Sequence, residues 1–304
     1  MVPWHRAARR ESAEQVTNTL LRGIAAATLA AVLLGQSAAA DHHDAAFRVC
    51  ADPNNLPFSN QAGEGFENAL AKLWAAKLGK PIEYTWFPQR RGFERMTLRS
   101  KDPYGMGYKC DVIIGVAAGW ELGLTTAPYY RSTWAVAYLE GGKLDGITSA
   151  AELTALPDEV KQELSAATFI GTPVSQWLAQ YGLDAKLRPY PALDADPNRY
   201  PGMLIENDLA NGEVDLVTLW GPIAGYFATK VNEGRDSNRV VVLPLESEEG
   251  LRFDYAIAAG VRYGEGDRRD MVQNLIDETR EDIDALLQRY GFPVVATGGT
   301  PVTR

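Results

Sequence analysis

The side chains that carry most enzyme chemistry are nearly absent from the body of this chain. Its three histidines are His5, His42 and His43, all near the N-terminus. That leaves no histidine for a Ser–His–Asp triad, a Cys–His dyad or an imidazole-ligated zinc site in the folded region. Gly105-Met106-Gly107 lacks the preceding strand and following helix that a phosphate-cradling loop needs, and no pair of carboxylates stands out for acid–base work. What remains is binding chemistry. Phe58, Trp86, Phe87, Tyr129, Tyr130 and Trp220 fall at or beside predicted strand ends, where open α/β sheets bind ligands. Phe87-Pro88-Gln89-Arg90-Arg91 adds two guanidinium groups. Arg91, Arg95 and Arg99 recur at helical spacing, which fits a solvated helix face as well as a rim that grips a carboxylate-rich ligand or an acidic protein surface. Trp120 and Trp134 fit core and cleft equally. The expectation is a protein that binds, with no catalytic residue, no metal site and no cofactor of its own.

The elements that would position these groups alternate along the chain. Phe47–Ala51 reads as a strand, followed by a Pro/Asn-rich loop that holds Asn55 and Phe58. Phe66, Leu70, Leu73, Trp74 and Leu78 give a helix one apolar face, and Gly79 stops it. Residues 82–86, 111–115, 133–139, 167–170, 215–219, 240–245 and 253–260 read as further strands. Residues 149–164, 174–181, 203–211, 267–273 and 278–290 read as helices, and 189–201 as a polar, Pro-rich loop. Such alternation predicts an α/β fold with largely parallel sheets.

The N-terminus predicts export. Arg6, Arg9, Arg10 and Arg22 precede the apolar run 24–34 and then Ala38-Ala39-Ala40, the layout of a secretory signal with cleavage after Ala40 or Ala39. The run is short against the ~20 residues of a membrane span. Removing residues 1–40 takes four of the 30 basic and two of the 39 acidic residues, leaving 26 against 37. That acidity argues against nucleic acid and anionic membrane as partners and leaves room for a basic one. Cys50 and Cys110 are the only cysteines. Each sits at a strand, and the first and third strands of a doubly wound sheet commonly lie side by side, so an exported chain would bridge them; two separate buried thiols are the alternative.

Several stretches match local patterns of one fold family, in the family's order: DVIIG at 111–115, PYY at 128–130, IGT at 170–172 and GEVDLV at 212–217. Over residues 47–293 the chain resembles the bilobal periplasmic-binding-protein fold of type II, an α/β architecture with two doubly wound lobes around a cleft. The resemblance implies one lobe from residues 46–139 plus 246–298 and a second from 140–245. The strand at 133–139 and the segment 240–255 would cross between them. Thr172 and Ser175 would sit at a strand-to-helix turn facing the cleft, with Arg131 beside the tyrosines. Amino-acid binders of this type place a carboxylate-binding Arg where gap-free counting from Gly115 reaches Leu122. They place an amine-binding Asp where counting from Asp215 reaches Trp220. A buried zwitterion without charge partners is costly, so an ordinary amino acid is not the expected ligand.

RVCADPNNLPFSN, YTWFPQRRGF and TAPYYRSTW look more specifically like the J-type accessory proteins of bacterial methanol oxidation, across nearly the whole exported chain. The resemblance implies a periplasmic factor that binds a quinoprotein alcohol or methanol dehydrogenase (of the XoxF or MxaF kind), and by extension its cytochrome c, and assists its assembly or activation. The alternative is a carrier of a small molecule such as PQQ or a metal chelate.

Overall fold

Apolar five-residue strands joined by amphipathic helices have one economical arrangement, a sheet with helices packed on it. The computed structural model describes residues 45–89, 92–104, 107–192, 196 and 198–296. The expected signal, residues 1–40, and Arg90 and Arg91 lie outside the described residues. Among the described residues, 47–101 and 108–296 form one compact unit, and 102–107 are a short turn described by itself. Within that short turn the Asp102 amide donates to the Gly107 carbonyl at 2.8 Å.

In the larger unit, β1 (Phe47–Ala51) lies between β4 (Ile82–Trp86) and β5 (Val112–Ala117), parallel to both. The small hairpin β2 (Asn54–Asn55) and β3 (Ser59–Asn60) precedes α1 (Phe66–Leu78). Phe66, Leu70 and Trp74 of α1 are fully buried on this half of the sheet. Gly79 ends the helix in the left-handed region at φ 64°, the usual helix-terminating role of glycine.

β7 (Tyr130–Leu139) joins the two halves of the sheet. Its residues 130–133 pair antiparallel with β12 (Asp254–Val261). Its residues 134–139 pair with β10 (Leu216–Trp220) and β11 (Val240–Pro244). Beyond β10 lie β8 (Ser165–Phe169) and the edge strand β9 (Lys186–Tyr190), both parallel. The chain changes half at Trp134, whose carbonyl accepts from the Leu245 amide at 2.8 Å while its own amide donates to Phe253 at 3.2 Å. The core is divided accordingly. One cluster packs α1 and the C-terminal helices α7 (Gly266–Glu278) and α8 (Arg280–Arg289) on β1 and β5. Two more pack on either face of the β7–β10–β8 sheet.

The expected helix over 149–164 is two short ones, α3 (Ala150–Thr154) and α4 (Asp158–Glu163). Pro157 separates them, having no N–H for a continuous ladder. The helix expected over 203–211 is a π-helical turn, Leu204–Leu209. β9 is not among the expected strands, and its last two residues fall in the expected loop 189–201; Lys186, Arg188 and Pro189 belong to an edge strand defended against further pairing.

Two covalent and ionic ties hold β1 to β5. Cys50 and Cys110 form a disulfide, Cα atoms 5.4 Å apart, as the adjacency of first and third strands predicts. Next to it, Asp111 is 1% exposed yet charged. Arg48 grips it bidentately, Nε to Oδ2 and Nη2 to Oδ1, both at 2.9 Å. Arg262, at the end of β12, donates to Oδ1 at 2.5 Å, and Arg268 stands 3.4 Å away. Glu265 takes the remaining positive charge of Arg262 and Arg268 at 2.6 and 3.1 Å.

The Asp111→Asn substitution is expected to lower unfolding free energy by about 3–5 kcal/mol, because it strands buried guanidinium groups. Replacing Cys50 and Cys110 together by Ala should cost about 4 kcal/mol in the chain-entropy account of a 60-residue loop. Urea denaturation of the chain from residue 41 onward measures both. Thiol titration of the denatured, unreduced protein should find no free cysteine.

Candidate functional site

The loops at the carboxyl ends of β1 and β4 meet those at the ends of β8 and β9 around one cavity of about 300 Å³. Asp52 organises the first side: its Oδ1 accepts from the Asn54 amide at 2.8 Å, and its Oδ2 from the Gln89 amide. Asn55 Nδ2 donates to Gln89 Oε1 at 2.7 Å, so the two loops present one amide-rich wall. The second side is the π-helical turn with Phe169, Tyr190 and Tyr200. An extra residue per turn widens a helix and re-aims side chains, and such turns concentrate at functional sites. Here it contributes Leu204, Asn207 and Asp208 to the wall. Tyr190 donates to Asp208 Oδ2 at 2.5 Å, and Arg188 lies 3.5 Å from Oδ1. Tyr200 donates to Glu206 at 2.5 Å. Burial first, then Glu206, pushes the Tyr200 hydroxyl up to about 12.

A second group gathers where the chain crosses between halves. Trp134 and Trp220 have ring centroids 6.1 Å apart, Trp220 and Tyr255 6.0 Å, and the Arg252 guanidinium lies 5.0 Å from the Tyr255 ring. Arg131 is paired with Asp254, which also accepts from Ser247. These partners hold the Asp254 carboxyl below its ordinary range, Ser247 contributing most. Trp220 therefore stands packed among aromatic rings where the binding-protein resemblance expects an amine-binding carboxylate, and Leu122 is 41% exposed. Neither position carries a charge for a zwitterion.

The residues expected at the cleft thus separate. Asn55 lines the cavity. Arg131 and Trp220 sit at the crossing. Trp86 stacks on Tyr84 at 4.5 Å at the end of the edge strand β4. Phe87 packs on the disulfide cluster. Tyr129 and Tyr130 are 2% and 8% exposed, packed with Trp74 and Phe66. Tyr129 donates to the Ile114 carbonyl at 3.0 Å, so both are core residues and not cleft residues; their rings bury apolar area while the hydroxyl of Tyr129 finds a backbone acceptor. The hydroxyls of Thr172 and Ser175 are spent on the local turn, donating to Phe169 and Thr172 carbonyls at 2.6 and 2.7 Å.

Phe58 packs against the cores of both halves, and Leu56 beside it against the second. The C-terminal segment adds a second tie. Tyr290 stacks on Tyr226 of α6 (Gly221–Asn232) with centroids 5.9 Å apart. Gly225 packs so tightly on Gly291 that a Cβ there would lie 1.8 Å from the Gly291 carbonyl oxygen. The two halves are therefore fastened by this chain's own side chains on one flank of the cleft.

Glu67, which sequence reasoning passed over, is the most perturbed acid. It opens α1, where the helix dipole favours a negative charge. Burial outweighs that: desolvation, then the charge of Asp52, raises its carboxyl to about 7. Tyr84, Tyr129 and Tyr130 all feel its charge. A Cβ on Gly115 would come within 2.3 Å of its Oε1, so the glycine that ends DVIIG makes room for this carboxyl.

No family model matches the chain. MoxJ of Paracoccus denitrificans is 26% identical over 288 residues, 90% of this chain and 97% of that protein. The crystal structure of the periplasmic binding protein XoxJ from Methylobacterium extorquens AM1 is 28% identical with TM-score 0.62, covering 82% of this chain and 99% of that one. MxaJ from Methlophaga aminisulfidivorans, 22% identical, shares the fold with TM-score 0.65 over 82% of this chain and 100% of its own. The mixed α/β architecture is that of the bilobal binding proteins. Among the described residues no helix is long and apolar enough to cross a membrane, and no cluster of His, Cys, Asp and Glu is arranged to hold a metal.

The raised Glu67 carboxyl has a signed consequence. Between about 4.5 and about 7 the native state holds a proton that the unfolded chain has released, so this group's stabilisation is full below that window and lost as pH rises through it. Glu67→Gln should remove that loss. The difference in melting temperature between variant and parent is expected near zero at pH 4 and in the variant's favour at pH 8, read by thermal denaturation.

Proposed function

We propose that this chain, a J-type relative of MoxJ, XoxJ and MxaJ on the bilobal binding-protein fold, is a periplasmic accessory factor. It recognises a PQQ-dependent alcohol or methanol dehydrogenase and assists its assembly or activation, binding without catalysis. The observation that carries this reading is the state of the cleft. The position where a binding protein would hold a ligand amine is Trp220, packed against Trp134 and Tyr255. Leu56, Phe58 and the Tyr226–Tyr290 stack already tie the halves together. A trap for a free amino acid needs matched charges at its ligand positions, and neither Leu122 nor Trp220 supplies one. An open, aromatic, amide-rich surface suits a protein segment, because rigid rings give large contact area at low entropy cost.

The carrier reading loses ground on the same residues. A tricarboxylate such as PQQ would meet Asp52 and Asp208 on the cavity wall. Arg90 and Arg91 remain candidates for gripping an acidic surface of the dehydrogenase.

Deletion of the gene is expected to lower dehydrogenase activity and cofactor loading during growth on alcohol. Reintroduction as Trp86→Ala, or with Arg90 and Arg91 reversed to Glu, should restore the folded protein but only a fraction of that activity. Unchanged dehydrogenase activity, loading and assembly in the deletion strain would sink the accessory reading.

A further inference from the structure

The cavity on the π-helical turn has a chemistry of its own. It presents two carboxylates, Asp52 from the first half and Asp208 from the second, on opposite sides of one space. The rings of Phe169, Tyr190 and Tyr200 line the same space. Asp208 is buried to 8% exposure, held by Tyr190 and, among the described residues, paired with the half-exposed Arg188 at 3.5 Å. Asp52 takes two backbone amides and, among the described residues, no ion pair with a cation. The one cation among the described lining residues, Arg199, sits on the exposed side with Asp196 3.9 Å away. Paired carboxylates flanked by aromatic faces are complementary to a cation with an apolar stem: the carboxylates accept its hydrogen bonds and the rings stabilise its charge.

We infer that this cavity takes an arginine or lysine side chain presented by an extended protein segment, the flanking amides of Asn54, Asn55, Gln89 and Asn207 meeting the segment's backbone. The inference rests on the reading that the chain recognises a protein partner, and it names the chemistry of the contact. A segment fits better than a free amino acid, whose own carboxylate would enter a space already lined by two. It also fits the charge of the exported chain, 26 basic against 37 acidic residues, which draws basic partners.

The test is calorimetric titration of the full exported chain with blocked pentapeptides, acetylated and amidated, that differ only in a central Arg, Lys, norleucine or Glu. Saturable binding is expected for Arg and Lys. Asp208→Asn should weaken it at least about ten-fold, the loss of one charge-assisted hydrogen bond. Should Asp208→Asn fail to fold, Met203→Lys, which plants an ammonium on the cavity wall from the chain itself, should weaken it as much. Equal binding of the norleucine or Glu peptide, no binding of any peptide, or free arginine binding as tightly as its blocked peptide overturns the inference. A parallel measurement with the apo-dehydrogenase separates the two readings. Undiminished binding by Met203→Lys overturns the cavity assignment and leaves recognition standing. Absence of binding by the parent chain, with peptide binding intact, removes recognition and leaves the cavity's preference for cations in place.

Discussion

A carboxylate with 1% of its surface exposed, Asp111, anchors the first half of this protein. Burying it is costly, and the cost is offset only because the bidentate Arg48, Arg262 and the nearby Arg268 surround it with good geometry. The three arginines come from β1, the end of β12 and the start of α7. One buried charge therefore fixes the relative positions of a parallel pair, the returning strand and a C-terminal helix. The neighbouring disulfide fixes the same pair covalently. With β1 and β5 so held, the loops at their carboxyl ends have a fixed origin; Asp52 directly follows β1, and Gly115 within β5 faces Glu67 of α1.

The second constraint is the route of β7. One strand serves both halves of the sheet, and its change of partner at Trp134 places Trp220 and Tyr255 around the crossing. The charge that a zwitterion would need is replaced there by aromatic surface. Leu56 and Phe58 then reach from the first half into the core of the second, while Gly225 and Gly291 approach too closely to admit a side chain. These contacts join the halves on one flank, and the cavity is lined by amides, carboxylates and rings. Packing and charge lead to the same functional reading.

Much of this was legible in the residues. The period of Phe66, Leu70 and Trp74 gave α1, and the strand positions of Cys50 and Cys110 gave their bridge. The fold class followed from alternation and ordered motifs. What escaped reading has physical causes. Tyr129 and Tyr130 look alike in a core and in a cleft, since each pairs an apolar ring with a polar tip; burial against Trp74 and Phe66 decides, with the Ile114 carbonyl taking the Tyr129 hydroxyl. Glu67 reads as an ordinary solvated first-turn acid until the fold presses it against Gly115. The π-helical turn has the same residue types as an α-helix, and its extra residue per turn is set by packing. The cavity is assembled from segments more than a hundred residues apart, so no local pattern announces it.

The central claim is that this binding-protein fold recognises a protein and not a free solute. The most direct measurement is calorimetry on one preparation of the exported chain, titrated in turn with each common amino acid, with PQQ and with the apo-dehydrogenase. The account predicts saturable heat with the dehydrogenase alone. Saturable binding of an amino acid or PQQ, with none for the dehydrogenase, would contradict it.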